Sequence, residues 1–361
     1  MKNGRNNDLL YSNRLRGCDL IIEDKGFTSG MIEKVFAHKL SFIASILAEK
    51  GIGLTVLLEG TGISEEELNN RNYKVSKEQI VIFYRNILSL RISAISILLG
   101  KSIKVNDYGL YGCTLLCCKD LRSSLEYSIR YHKLAMKTVN MSLHIDEDLG
   151  QSFYRFEDIL MASDLVEFNI ELQCAIVLSL VLECISDQDF VFDELRLTFP
   201  KPKNYQRYED HFQCPVIYQS PYNEFVLSNE KLSIATPRSN PFAMPLLLDQ
   251  CDLVLNSIEA KNEFLITINQ WVAANMHSEL CSQDLADHLC ITQRTLRRKL
   301  SAQGTSFRHI TQALRCDAAK KLIMQTKLSI EDIGCSVGFN DVSNFRAAFK
   351  KWTGKTPSSL R

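Results

Sequence analysis

The sequence contains one group of side chains whose types and spacing suit hydrogen bonding to nucleic acid bases. These side chains are Gln293, Arg294, Arg297 and Arg298. Their spacing places all four on one face of a short helix, while Leu296 and Leu300 would face inward. Arginine donates two hydrogen bonds to O6 and N7 of guanine, so the pattern predicts base contacts. A phosphate contact or a solvated charge is the alternative for each arginine.

The residues before this basic helix complete the pattern of a helix-turn-helix unit. Leu285, Ala286 and Leu289 form the inward face of a preceding helix, and a break follows at Cys290–Ile291. Thr292 is suited to cap the basic helix. The same pattern is also typical of a helical hairpin inside a hydrophobic core. A single copy therefore does not distinguish a DNA-binding unit from a structural hairpin.

The same pattern occurs a second time, 48 to 49 residues further along the chain. Ile333, Gly334 and Val337 repeat the first inward face, and Phe345 and Phe349 repeat the second. The predicted turn and cap residues are Gly338 and Asp341. Two copies in tandem favour DNA binding over a core hairpin.

The charge distribution supports an anionic partner for one end of the chain. The net charge is zero, but residues 261–361 hold 15 Lys and Arg against 8 Asp and Glu, a surplus of +7. The remaining residues carry the opposite surplus of −7. A basic end on an acidic body indicates that only this end meets an anion.

The composition is that of an ordinary globular protein. Of the 361 residues, 45% are hydrophobic and 23% are charged, which excludes disordered and collagen-like classes and suggests two domains. The longest nearly unbroken apolar stretch, Cys174–Leu182, is shorter than a membrane span, and the first residues do not resemble a secretory signal. The twelve cysteines are scattered and form no CxxC motif. We therefore expect a cytoplasmic protein with free thiols and no membrane span.

Residues 1–235 are predicted to form a mixed α+β domain. Apolar spacing from Val35 to Leu47 predicts one helix, Lys77–Leu99 predicts another, and Ser64 is suited to cap a third. The other predicted elements are a hairpin of Met141–Ile145 with Ser152–Phe156, and a buried helix over Ser163–Ile185.

Residues 236–261 are predicted to connect two domains. Thr236–Pro245 holds three of the eight prolines, and Leu246–Ile258 has the apolar spacing of a helix. That helix either packs on the first domain or pairs with a second subunit. Residues 262–361 are predicted to be all-α, with helix-turn-helix units at about 281–301 and 329–352.

The last hundred residues carry a series of motifs specific to one family. They are Leu285-Ala286-x-x-Leu289, Thr292-x-x-x-Leu296-x-Arg298, Leu314-Arg315-x-x-x-Ala319, Ile333-x-x-x-Val337-Gly338-Phe339 and the run from Asn344 to Pro357. With them, residues 264–361 resemble the DNA-binding domain of AraC/XylS-type transcriptional regulators. The resemblance implies two helix-turn-helix units joined by one long helix, here Ser306–Gln325. Such a helix spans roughly 30 Å, close to one turn of DNA, so both units would enter successive major grooves.

The resemblance also implies which side chains face the DNA. It places Arg294, Arg297 and Arg298 at the groove in the first unit, and Val342, Ser343 and Arg346 in the second. Lys350 and Lys351 are expected to contact DNA of any sequence. The chain departs from the family pattern at two positions, Ala347, where many members have a basic residue, and Cys316, where leucine is usual.

The N-terminal part resembles the larger α+β effector domain of one subgroup of this family, over most of residues 35–235. The motifs are Gly109-x-x-Gly112, Asp120-Leu121-x-x-x-Leu125-x-Tyr127, and His211-Phe212-x-Cys214-Pro215-Val216 followed by Asn223. The resemblance implies a small-molecule effector or a second subunit as partner. The helix-rich start argues against the sugar-binding β-barrel of the arabinose regulator, so arabinose is not expected. The residues considered for an acid-binding pocket are Arg130, Tyr131, His132, Lys133, Tyr154 and Arg155, although surface charges explain them more simply.

Together these patterns predict a sequence-specific, DNA-binding transcriptional regulator with no cofactor, metal or catalytic residue, and the resemblance implies an activator that responds to a small-molecule effector. The expected partners are double-stranded promoter DNA, an effector of unknown identity, RNA polymerase if the protein activates, and a second copy of the chain. Cys113, Cys117, Cys118 and His132 lack the paired spacing of a zinc site. One alternative is an alkyl-transfer DNA-repair enzyme, whose Pro-Cys-His-Arg run is absent around Cys214. The other is a ligand-free architectural binder with little sequence preference.

Overall fold

The computed structural model describes residues 19–23, 35–70, 73–203, 205–278 and 280–360. The chain divides into two compact units, Met1–Asn256 and Ser257–Arg361. The first is an α+β unit and the second is all-α, which confirms the predicted fold class. Each unit has its own hydrophobic clusters.

Helices make up most of the described chain. In the first unit they are α1 (His38–Glu49), α2 (Leu54–Leu58), α3 (Glu65–Asn69), α4 (Lys77–Ser89), α5 (Ile95–Ser102), α6 (Gly109–Leu116), α7 (Leu121–Arg130), α8 (Val166–Ile185) and α9 (Gln206–Phe212). Helix α10 (Ala243–Ala274) begins in the first unit and ends in the second. The second unit continues with α11 (Ser282–His288), α12 (Gln293–Ser301), α13 (Phe307–Gln325), α14 (Ile330–Ser336) and α15 (Val342–Thr353).

The strands of the first unit form a six-stranded sheet and a two-stranded sheet. The large sheet has the order β1-β4-β5-β8-β6-β7, and every neighbouring pair is antiparallel except β6 and β7. Its strands are β1 (Asp19–Glu23), β4 (Val139–Asp146), β5 (Gln151–Asp158), β6 (Glu194–Arg196), β7 (Val216–Ile217) and β8 (Asn223–Ser228). The small sheet pairs β2 (Val35–Phe36) with β3 (Lys74–Val75).

The central hairpin confirms the alternation seen in the sequence. Along β4 buried and half-buried side chains alternate, so Met141, Leu143 and Ile145 all lie in the core while Ser142 and His144 lie on the opposite face. The buried face packs in one hydrophobic cluster with residues of α7, α8 and α9. A second cluster joins α1 through α6 to the other side of α8.

Helix α8 is the central element of the first unit. Among the described residues it is the one helix long and apolar enough to cross a membrane, but 78% of its most apolar window is buried inside the protein. A core helix passes the same length and composition test. The prediction of a buried helix here is therefore confirmed, with its start at Val166 rather than Ser163.

Two predicted helices of the first unit were wrong in extent. Val35 and Phe36 belong to β2, and α1 begins only at His38; residues 31–34 lie outside the described part. The helix predicted over Lys77–Leu99 is two helices, because Arg91 and Ala94 both have φ of 53° and so lie in the left-handed region that ends a helix. Neither residue is a glycine, which is why the sequence offered no break signal there.

The connecting helix is longer than predicted. The side-chain carbonyl of Asn240 accepts hydrogen bonds from the backbone N–H groups of Phe242 (3.1 Å) and Ala243 (3.0 Å), and α10 then runs for 32 residues. Pro245 is tolerated in its first turn because the N–H groups there have no partner within the helix. The predicted end at Ile258 was wrong, since the helix continues to Ala274.

Candidate nucleic-acid interface

Helices α11 and α12 form the first hairpin of the second unit. Leu285 and Ala286 of α11 are buried together with Leu296 and Leu300 of α12, in a cluster that includes residues of α10 and α13. The hydroxyl of Thr292 accepts the backbone N–H of Thr295 at 3.2 Å, so it caps α12 as predicted. The inward face of α12 is therefore fixed, and its opposite face is left to solvent.

The solvent face of α12 presents an unpaired cluster of cations. The exposed side chains are those of Gln293, Arg294, Arg297 and Arg298. Within the described chain, no carboxylate forms an ion pair with any of the three arginines. Lys299 points elsewhere, because its ammonium group lies 5.2 Å from the centre of the Phe264 ring. The three arginines thus retain their guanidinium donors for an external anion or base edge.

Gln293 is held in place at the start of this face. Its amide nitrogen donates to the hydroxyl of Ser282, the first residue of α11, at 2.6 Å. This bond links the beginnings of the two helices of the hairpin. One amide N–H and the carbonyl oxygen of Gln293 remain available for other contacts.

Helices α14 and α15 repeat the hairpin. Ile333, Gly334, Phe345 and Phe349 are buried in a second cluster, as the repeated pattern predicted. A Cβ atom on Gly334 would lie 3.3 Å from the Phe345 side chain, so a small residue is needed where the two helices meet. Asp341 accepts the backbone N–H groups of Ser343 (3.2 Å) and Asn344 (3.0 Å) and caps α15 as predicted.

The two turns begin with the same left-handed conformation, although the second is one residue longer. In the second, Gly338 has φ of 81°, its N–H donates to the carbonyl of Cys335, and the N–H of Phe339 donates to that of Gly334. Cys290 takes the corresponding place in the first turn, with φ of 52° and the equivalent bonds to Asp287 and Ala286. The predicted left-handed turn at Gly338 is confirmed, and Cys290 adopts the same conformation despite its side chain.

Arg315 of α13 connects the second turn to the segment that follows α10. Its guanidinium donates to the carbonyl of Ser278 at 3.2 Å and lies 5.4 Å from the centre of the Phe339 ring. A Cβ atom on Gly338 would lie 2.1 Å from the carbonyl oxygen of Met276 and 2.6 Å from the Arg315 side chain. The second turn is therefore packed so closely that only glycine fits.

The outward face of α15 is less basic than that of α12. Ser343, Arg346, Lys350 and Lys351 are exposed, whereas Val342 is half-buried. Ala347 is exposed in the middle of this face and supplies no donor. The exposed cations on this face are therefore Arg346 and the two lysines of the last turn, Lys350 and Lys351.

One helix supports both hairpins. Ser306 caps α13 by accepting the N–H of His309 at 3.2 Å, and the helix runs for 19 residues, a length of about 28 Å. Ile310 belongs to the cluster of the first hairpin, Ala319 and Ile323 to that of the second, and Leu314 packs against both. The two basic faces are thus carried by one continuous element, as the resemblance implied.

The residues considered for an acid pocket in the first unit do not converge. Arg130 and the Tyr131 hydroxyl both bind the carboxylate of Asp252, at 2.9 Å and 2.8 Å. Tyr154 is buried and its hydroxyl lies 2.6 Å from that of Ser128, whereas Arg155 is on the other face of β5 and pairs with Glu224. Alternation along β5 separates these two neighbours in sequence.

Cysteine and histidine side chains form no metal-binding group among the described residues. No set of three or more His, Cys, Asp and Glu side chains lies close enough to hold an ion. The described cysteines are free thiols, and several of them are buried. Burial raises the pKa of the Cys214 thiol to about 12, because the charged thiolate is poorly solvated there.

Tandem helix-turn-helix hairpins with exposed arginines define the chain as a DNA-binding protein of the helix-turn-helix class. Residues 51–234 match the family model described as the arabinose-binding domain of the AraC transcription regulator, N-terminal part, and residues 285–361 match a helix-turn-helix domain. The first match alone spans half of the chain. The chain belongs to the AraC family of transcriptional regulators.

Similar proteins include regulators of comparable length. The ornithine utilization regulator of Pseudomonas aeruginosa is 24% identical over 341 residues, which cover 93% of this chain and 97% of the relative. The transcriptional regulator VqsM of the same species is 23% identical over 291 residues, covering 73% of this chain and 82% of the relative. The crystal structure of the regulator CdpR, also from Pseudomonas aeruginosa, covers 93% of this chain and 99% of its own, at 18% identity and a TM-score of 0.47.

Proposed function

We propose that the chain binds promoter DNA through α12 and α15 and activates transcription when a small molecule binds the first unit. The observation that carries the DNA contact is the unpaired cluster of Arg294, Arg297 and Arg298 on a helix whose other face is buried. Cations without an internal partner keep their full attraction for phosphate, and arginine also matches the edge of guanine. Activation, and with it contact to RNA polymerase, rests on the family resemblance.

A second copy of the chain is a further proposed partner. Phe242, Leu246 and Leu253 are exposed by 93%, 64% and 64%. They recur near the start of α10 at spacings of four and seven residues, which align them on one face of the helix. Such an apolar stripe is typical of helix pairing between subunits.

The effector belongs to the first unit in this proposal. The name of one relative refers to the utilization of ornithine, and that of the matching domain to arabinose. The described residues form an open six-stranded sheet with a helical layer rather than a closed barrel. We propose a small cytoplasmic metabolite as the ligand, without carrying either name over to this chain.

An alkyl-transfer enzyme is disfavoured by the chemistry of Cys214. The nucleophile in such a reaction is a thiolate, which needs a lowered pKa and access to the substrate. Cys214 is buried, and its pKa is raised to about 12. We therefore propose that the chain regulates transcription and does not transfer alkyl groups through Cys214.

The experiment that tests the proposed function is genome-wide mapping of the sites bound by the full chain, followed by competition of a recovered fragment against bulk DNA. We expect discrete sites, and at least a thousandfold preference for the recovered fragment, the lower end for specific binders. The double variant Arg297→Ala, Arg298→Ala should lose these sites. Lys321→Ala, an exposed cation on α13, serves as the matched control. Uniform coverage of the genome would indicate an architectural binder instead.

A further inference from the structure

Lys39 is a buried cation without a counter-ion. It is the second residue of α1, and its side chain is 2% exposed. Its ammonium group donates to Oγ1 of Thr138 at 3.4 Å and to Oε1 of Gln173 at 3.3 Å, both long for bonds from a charged donor. Within the described chain no carboxylate forms an ion pair with it. A buried charge with only weak neutral partners is costly, so the charged form of Lys39 is stable here only beside a bound anion, and without one the amine loses its proton more readily.

Unsatisfied polar atoms gather around the same lysine. The carbonyl oxygen of the Asn169 side chain, Nδ1 of His132 and the hydroxyl of Tyr84 are buried and have no hydrogen-bond partner. Thr138 connects Asn169 to Lys39, because its hydroxyl accepts from Lys39 and its carbonyl accepts the Asn169 amide at 2.9 Å. The same amide also donates to the Asp158 carboxylate at 2.6 Å. We name this set the Lys39 cluster; it comprises Lys39, Tyr84, His132, Thr138, Asn169 and Gln173.

The Lys39 cluster departs from the usual rule for protein interiors. Buried polar atoms nearly always have a partner, so three unpaired atoms beside one uncompensated cation indicate a missing polar molecule. Lys39 requires an anion, and the free carbonyl oxygen of Asn169 requires a donor. A carboxylate that also carries a hydroxyl or amino group supplies both.

The cluster adjoins a small cavity whose lining is mostly apolar. The Gln173 side chain, which accepts from Lys39, also lines a cavity of about 20 Å³ beside Ser128, Tyr111 and Tyr154. That volume holds one water molecule and no larger solute. A ligand would therefore have to displace the side chains around it, which couples its binding to a change in the core.

We propose that the Lys39 cluster is the effector site, and that it binds the carboxylate of a small hydroxy or amino acid at Lys39 with the second group of the ligand at Asn169. This inference rests on the proposed regulatory function. It explains why a charged residue occupies a position on α1 that lines up with buried Ile43 and Leu47.

The test measures binding of acids to the full chain without DNA. L-lactate, L-glutamate and L-arginine are each titrated by calorimetry and by the midpoint of thermal unfolding, beside the analogue whose α-carboxylate is an amide. We expect at least one acid to bind and raise the midpoint, and its amide to do neither. Lys39→Met should abolish the response without lowering the midpoint of the free protein, because it removes an uncompensated buried charge. Lys50→Met, an exposed lysine at the end of α1, should respond like the wild type.

The pH dependence of binding gives an independent readout. Burial lowers the pKa of Lys39 to about 7, so binding of the acid should be about tenfold tighter at pH 6 than at pH 8. The other titratable groups facing the cluster are Tyr84, His132, Lys137 and Asp158. Burial raises the pKa of Tyr84 and lowers that of His132, so both stay neutral over this interval. Lys39→Arg keeps its charge and should bind the acid equally at both pH values.

Several results would overturn the inference. If none of the three acids binds at pH 6, the cluster holds a buried water only. If the amides bind as well as the acids, or if Lys39→Met retains the response, Lys39 does not bind a carboxylate. If Lys39→Met does not fold, Lys39→Arg and the pH profile decide the question. Failure of the proposed function would appear separately, as a wild-type chain that shows no DNA preference.

Discussion

Cys290 and Gly338 hold equivalent backbone positions in the two turns, and only one of them is a glycine. A side chain in the left-handed region destabilises the folded state by about 1 kcal/mol or more. Glycine relieves this strain, but it also increases the conformational entropy of the unfolded chain, which offsets part of the gain. We expect Cys290→Gly to raise the free energy of unfolding by about 0.5 kcal/mol. Gly338→Ala should lower it by about 2–4 kcal/mol, because its Cβ would meet the Met276 carbonyl at 2.1 Å.

Urea unfolding of residues 257–361 measures both changes, with Gly354→Ala as the control. Gly354 also has a positive φ, of 72°, but a Cβ there meets nothing within 4 Å. Gly354→Ala should therefore lower the free energy of unfolding by about 1 kcal/mol, from backbone strain alone. If both alanine variants lower the free energy of unfolding equally, the second turn shifts to accommodate the Cβ atom at residue 338.

Arg298 and Lys350 are both exposed cations, yet we expect different roles for them. Arg298→Ala should cost about 1–3 kcal/mol on the best site and relax the preference at one base pair, because a bidentate contact to guanine is lost. Lys350→Ala and Lys351→Ala should weaken all sequences alike. Binding of the variants to the best site and to random DNA separates the two effects. An equal loss on both DNAs for Arg298→Ala would make it a phosphate contact.

At the scale of elements, the outward faces of α12 and α15 are unequal. Helix α12 presents three arginines, whereas α15 presents Arg346 beside Ser343, half-buried Val342 and Ala347. We expect the first hairpin to carry most of the sequence information and the second to contribute backbone contacts. Selection from DNA with both half-sites randomised should return a sharp, guanine-containing motif, and a diffuse, A·T-rich one about ten base pairs away. Two equally sharp motifs would show that Arg346 reads bases on its own.

The same comparison of elements shows what the sequence could predict. Caps and periodicity are local, so Thr292, Asp341 and the two inward faces were identified correctly. The break at Arg91 and Ala94 was missed, because packing imposes a left-handed conformation there without a glycine. Lys39 was also missed, although a lysine in line with Ile43 and Leu47 was a visible signal.

Contacts that join distant parts of the chain were not predictable in this way. The hydrogen-bond partners of Lys39 are 99 and 134 residues away along the chain, and the sequence around Lys39 does not indicate them. The same holds for Asp252, which binds Arg130 and Tyr131 from α10. The exposed faces proposed to meet DNA were easier to predict, because one hairpin contains both the face and the buried residues that support it.

At the scale of the whole molecule, the basic charge is concentrated in residues 261–361. If this end neutralises six to eight phosphates, the logarithm of the binding constant should fall against the logarithm of salt with a slope of about −5 to −7. Residues 257–361 form a compact unit with two hydrophobic clusters of their own, so this fragment should bind DNA alone and show the same slope. Titrations of the fragment and of the full chain at several salt concentrations check both points. A slope near zero would contradict DNA binding.

The continuous helix between the hairpins also makes the protein sensitive to the rotational phase of its operator. Each base pair inserted between the half-sites moves the second one about 3.4 Å along the duplex and about 35° around it. Leu314 packs against both clusters, so α13 has no hinge at its centre that could follow this rotation. We therefore expect a single inserted base pair to turn the second half-site away from the face proposed for α15, so that a promoter for this regulator has one permitted spacing.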